Sequence, residues 1–122
     1  MTEPAIDPAA FANLVEITGG DLEFVDELVD TYLEDGEAQI AALRSAVAAG
    51  ANPDDLVRPA HSMKSSSINV GALALGDLAR HLEEAARRGD VLDPGGQVEA
   101  IAVAFASARA ELLEHRRERG GG

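Results

Sequence analysis

The chain has no cysteine, a single lysine, and aromatics at only 3% of its 122 residues. Without cysteine there is neither a disulfide framework nor a thiolate metal site. The shortage of aromatic residues argues against a sheet, which would draw on them and on β-branched side chains. No apolar run approaches the roughly 18 residues of a membrane span. The opening MTEPAIDPAA has no basic segment followed by an apolar one, so it does not read as a signal peptide, and the cytoplasm is the expected location. Bases are nearly missing from the first half: residues 1–57 carry 13 acids and Arg44 alone. With a net charge of −12, the chain lacks the basic surface that nucleic acid or an anionic membrane would require.

What is abundant is Ala, Leu and Val, within a hydrophobic fraction of 46%. Ala and Leu are among the strongest helix formers. At this length one core and one domain over 1–122 are expected, with the folded part at about 7–115 and a frayed tail at 116–122. Asp7-Pro8 reads as a helix cap followed by proline in the first turn, and Gly19-Gly20 closes that short helix. Asp21 caps the next helix. Its apolar residues Leu22, Val25, Val29, Leu33, Ile40, Leu43 and Val47 keep a helical period as far as Gly50, with Gly36 marking a bend.

A third helix starts at Asp54 or Asp55, which leaves Pro59 near its first turn. Its seam is Leu56, Ala60, Met63, Ser67 and Val70. A fourth follows Gly71 with Ala72, Leu75, Ala79, Leu82 and Ala86. After a loop at 91–96 a fifth repeats Val98, Ile101, Phe105, Ala108 and Leu112. Four amphipathic helices with short connections predict an all-α, antiparallel up-down four-helix bundle preceded by a short N-terminal helix.

The only basic region is 58–88, with a net charge of +2, and it contains HSMKSSSINVG. His61 follows the seam residue Ala60, so it lies about 100° around the helix, beside the buried stripe. Lys64 and Ser65 are its neighbours one turn on. On the next, antiparallel helix Arg80, Glu83 and Arg87 each follow a seam residue and form a stripe at about the height of His61. A carboxylate there would accept from imidazole Nδ1–H, fix the tautomer and leave Nε2 facing solvent. Two arginines and a lysine nearby would suit an anion on Nε2. His81 reads as a partner of Asp77, and His115 as a cation near a helix C-terminus. The histidines form no E-x-x-H or H-x-x-x-H pattern, so no metal site is expected.

AHSMKSSSINVGA resembles the signature of the histidine-containing phosphotransfer (HPt) domain: histidine, two positions, lysine, small residues, and glycine ten after the histidine. GGDLEFVDELVDTYLED at 19–35 resembles the family's first long helix, and LEEAARRGD at 82–90 the end of the helix after the histidine. The likeness runs over about 7–115. It implies a phosphocarrier that takes a phosphoryl group from a receiver-domain aspartate or a sensor kinase and passes it to a receiver. His61 would be the phosphorylated residue, and Lys64 would steady the phosphoryl group. Glu83 would bond the imidazole, with Arg87 and Arg80 beside it. Ser65 stands where the family commonly has glycine. With Ser66 and Gly71 it would give clearance for the docking receiver. The chain has no Walker loop and no acidic magnesium cluster. The resemblance therefore implies no cofactor of its own, with Mg²⁺ brought by the receiver. A helical adaptor without chemistry at His61 is the competing expectation, and a metal-binding bundle enzyme a weaker one.

Overall fold

Three side chains start three helices by accepting from backbone amides that no helical carbonyl can reach. Asp7 Oδ1 accepts from Ala9 N–H, Asp21 Oδ1 from Phe24 N–H and Asn52 Oδ1 from Asp54 N–H, each at 3.1 Å. They open α1 (Pro8–Ile17), α2 (Leu22–Ala48) and α3 (Pro53–Asn69). Then follow α4 (Leu73–Arg88) and α5 (Pro94–Gly120). The structure, a computed structural model, describes residues 4–120. Gly89 ends α4 in the left-handed region at φ +72°, and Asp90 N–H donates to Ala85 O at 3.0 Å.

The packing partners run in a ring, α2 on α3, α3 on α4, α4 on α5 and α5 on α2, with α3 and α4 in the most extensive contact. This is the four-helix bundle with a short leading helix that the periodicity predicts. All five seam residues of α3 are buried, as are all five of α4 and all five of α5. Burying the larger of them, the leucines, valines, Ile101, Met63 and Phe105, stabilises the fold by about 1.5–3 kcal/mol each. At its far end α5 is tied to α2 by Arg116, which reaches Asp26 and Asp30. Among the described residues no helix is long and apolar enough to cross a membrane.

Four sequence expectations need correction. Helix α3 starts at Pro53, so Pro59 is an interior, buried residue, and the carbonyl of Asp55 loses its usual donor. Gly36 does not break α2. It is buried against α5, where a Cβ would sit 2.2 Å from Phe105 Cε1, so glycine is required for the ring to seat. In α2, Leu22 is exposed, and Tyr32 takes a place in the core that the stripe did not assign to it. Pro94, Gly95 and Gly96 form the first turn of α5, and Asp93 caps it by accepting from Gly96 N–H at 3.1 Å. The last residues of α5, as far as Gly120, belong to the stretch expected to fray. Residues 121–122 and the side chains of 117–122 lie outside the described residues.

Candidate functional site

On α3, His61 and Lys64 are three residues apart. On α4, Glu83 and Arg87 are four apart. Each pair shares a helical face, and the antiparallel packing of α3 on α4 brings the two faces together. The centre is the carboxylate of Glu83, which follows the seam residue Leu82 and is only 5% exposed. Its Oε2 accepts from His61 Nδ1–H at 2.9 Å and from Arg87 Nε–H and Nη2–H at 2.9 and 2.7 Å. Lys64 Nζ lies 3.0 Å from Oε1. That contact is an ion pair at an angle outside regular hydrogen-bond geometry, which leaves Oε1 without a hydrogen bond.

Burial pushes the Glu83 carboxyl up, but the ion pair with Lys64 and the bonds from Arg87 and His61 outweigh it and hold the group at about 2. Glu83 is therefore an anion at neutral pH and can only accept. His61 must carry its proton on Nδ1 to donate to it. The imidazole side chain is 52% exposed, and among the described residues Nε2 has no hydrogen-bond partner. The ring is thus held from behind and open in front, and in its neutral form the lone pair lies on Nε2 at the free edge.

Four of the residues singled out in the sequence therefore meet: His61, Lys64, Glu83 and Arg87. Ser65 is exposed beside them. Ser66 Oγ donates back to Ser62 O at 2.8 Å, which keeps that side chain low on its own helix. Two expectations fail on geometry. Arg80 is drawn to the acids of its own helix: Nη2 donates to Asp77 Oδ1 at 2.6 Å and Nη1 to Glu84 Oε1 at 3.1 Å. Its guanidinium is taken up there and makes no hydrogen bond or ion pair with His61 or Glu83. Gly71 gives no clearance at an exposed docking face, because it is buried under α1. Its carbonyl accepts from Asp7 N–H at 2.8 Å, and a Cβ at its φ of +88° would press within 3.3 Å of Asp7 O, Phe11 N and Ala10 Cβ.

His81 pairs with Asp77 at 3.4 Å, as expected. His115 instead stacks on Phe11, with centroids 5.1 Å apart and planes 16° from parallel.

The sequence reading missed two features near the histidine helix. Ser67, the small polar seam member, is fully buried and 2.9 Å from Tyr32 OH. Burial pushes that phenol up to about 12, the Ser67 bond opposing it only in part. The second is a groove of about 540 Å³ between α1, α2 and the end of α3. Leu14 and Ile17, Leu28 and Tyr32, and Ser66 and Ile68 line it. Its signal in the sequence was Ile17 and Ile68, two large apolar residues outside every seam and both exposed.

A family model described as Hpt domain matches residues 27–117. No curated protein matches the chain. Among solved structures, histidine-containing phosphotransfer protein B (HptB) of Pseudomonas aeruginosa PAO1 is similar, with a TM-score of 0.84 and 32% identity over 97% of this chain and 98% of that one. The four-helix bundle, the family match and this likeness agree: the chain belongs to the Hpt domain family, the histidine phosphocarriers of phosphorelay signalling.

Proposed function

We propose that this phosphocarrier holds its phosphoryl group on Nε2 of His61 and exchanges it with the aspartate of a receiver domain. The observation that carries the reading is the His61–Glu83 bond, which holds Nδ1 and turns Nε2 to a half-exposed edge. In the accepting direction the Nε2 lone pair attacks phosphorus and the bond from phosphorus to the aspartyl oxygen breaks. The aspartate leaves as a carboxylate. The proton stays on Nδ1, and Glu83 offsets the positive charge the ring acquires. In the donating direction the same bonds are exchanged in reverse, and the ring departs as neutral imidazole because Nδ1 has kept its proton.

Lys64 and Arg87 neutralise Glu83 at rest and flank the phosphoryl position. Lys64 has further N–H donors beyond its contact with Glu83, and Nη1 of Arg87 is not used in holding Glu83. Both suit phosphoryl oxygens. The receiver would contribute Mg²⁺, which offsets charge on those oxygens, and a sensor kinase is the alternative phosphodonor. The groove beside α3 is the receiver's seat in this reading. It is apolar and shares α3 with His61, and Ser65 leaves the ridge between them low. The basic 58–88 stretch would complement an acidic receiver pocket, and the acid-rich α2 would repel acidic competitors.

The test is transfer from a ³²P-labelled receiver in Mg²⁺. The protein should acquire label that is acid-labile and alkali-stable, and His61→Gln should acquire none. Label persisting in His61→Gln would refute the assignment.

A further inference from the structure

The wall of the groove formed by α1 is poorly supported by α1 itself. That helix has ten residues, whereas isolated helices below about 12–15 residues are marginal in water. Phe11 is its one buried side chain, and it packs lightly on α2. Yet it contributes Ala10, Asn13, Leu14 and Ile17 to the groove.

What fixes α1 is the segment before it, which is held at two points: Asp7 N–H donates to Gly71 O at 2.8 Å, and the two residues before Asp7 are held by α5. Glu111 Oε2 accepts from Ala5 N–H at 2.6 Å, and Oε1 accepts from Ile6 N–H at 3.0 Å. Both oxygens of one carboxylate are thereby spent on two consecutive backbone amides. Ile6 is 1% exposed. His115, one turn further along α5, stacks on Phe11. Neither Glu111 nor the amides it holds line the groove, and Glu111 makes no bond to the His61 cluster.

We propose that Glu111 is a positioning residue for phosphotransfer: it latches the start of α1 onto α5 and so keeps the α1 wall of the groove in place for the receiver. This rests on the groove being the receiver's seat. The groove is complete only while α1 is docked, so the receiver's apparent affinity scales with the docked fraction. The latch acts on receiver binding and leaves the chemistry at Nε2 untouched.

Glu111→Ala removes both acceptors. The KM for the phosphorylated receiver should rise at least about fivefold, as expected if the docked fraction falls to about a fifth. The kcat should hold, as should direct labelling of His61 by phosphoramidate, a small donor that loses ammonia and needs no groove. Amide exchange in α1 should speed up. Glu111→Gln keeps one carbonyl acceptor and should give an intermediate KM, and it replaces the alanine variant if that one loses its helicity. An unchanged KM, or an equal loss of phosphoramidate labelling, would overturn the proposal. Ile17→Asp separates the latch from the groove. If it raises KM while Glu111→Ala does not, the groove stands and the latch falls. If neither raises KM, the groove reading falls and takes the latch with it.

Discussion

Helix α4 takes part in two ion clusters, each with a glutamate, an arginine and a histidine, whose α4 members lie within eleven positions. One gathers Asp77, Arg80, His81 and Glu84. The other joins Glu83 and Arg87 to His61 and Lys64 of α3. The first lies along the surface of a single helix, and its members are exposed on side chains from 43% to 60%. The second crosses between helices and closes on a carboxylate almost wholly out of water. Exposed pairs are screened and worth little, whereas a buried anion depends on every donor it has. The difference lies in which face each acid occupies: Glu83 is next to the seam, while Asp77 and Glu84 are turned to solvent. Only the cross-helix cluster can fix a ring on one helix from another.

Glu83→Ala should break the contrast most severely. It deletes the acceptor that aims His61, and misplacement of about 1 Å can cost about 10²-fold in rate. Transfer from a phosphorylated receiver should fall by about that factor. Denaturant unfolding should show about 1–3 kcal/mol of lost stability from the vanished charge-assisted bonds. A variant that transfers normally would mean the ring needs no aiming.

Arg87→Ala should have a smaller effect, because Lys64 and His61 still partner Glu83. A roughly fivefold to tenfold slower transfer, or shorter phosphohistidine lifetime, is expected for the loss of one charge-assisted contact, with the circular dichroism of the bundle retained. Unchanged rate and lifetime would remove Arg87 from the site.

Acid titration sharpens the same comparison. The Glu83 carboxyl sits at about 2 in the fold against an ordinary 4.5. Its depressed value means that the unfolded chain binds the proton more readily, so this stabilisation is complete above about pH 5 and disappears as pH falls towards 2. Asp77 is also lowered, mainly by its bond from Arg80, but it is exposed. In 0.5 M salt the difference between the parent and Glu83→Gln across this range should persist, while that between the parent and Arg80→Ala should vanish. Loss of both differences in salt would mean that Glu83 is as solvated as Asp77.

Arg80→Ala should do least, leaving transfer unchanged. Slower transfer in that variant would restore it to the site and undo the contrast.

Much of this was legible in the sequence because helical period records burial. The spacing of Leu56, Ala60, Met63 and Ser67 identified the inner face of α3, and His61 one step beyond it had to lie at the edge. The period groups 80, 83 and 87 as one stripe, and that is as far as it goes. Period places Arg80 on a flank but does not say that Asp77 and Glu84 will outcompete a site one turn away. The cost of proline inside a helix points to a first-turn place for Pro59, a local penalty that Asn52 capping and burial of the ring override. The Glu111 latch joins residues more than 100 positions apart through backbone amides, which carry no residue-type signature at all. Tyr32 and Ser67 are separated by 35 positions, and their hydroxyls found each other only once α2 and α3 were packed.

The central claim is that one nitrogen of one histidine carries the phosphoryl group. It is tested most directly by ¹⁵N and ³¹P NMR of the histidine-labelled, phosphorylated protein. The account predicts phosphorus coupled to Nε2 of His61, with the proton retained on Nδ1 beside Glu83. Coupling to Nδ1, or to a ring nitrogen of His81 or His115, would contradict it.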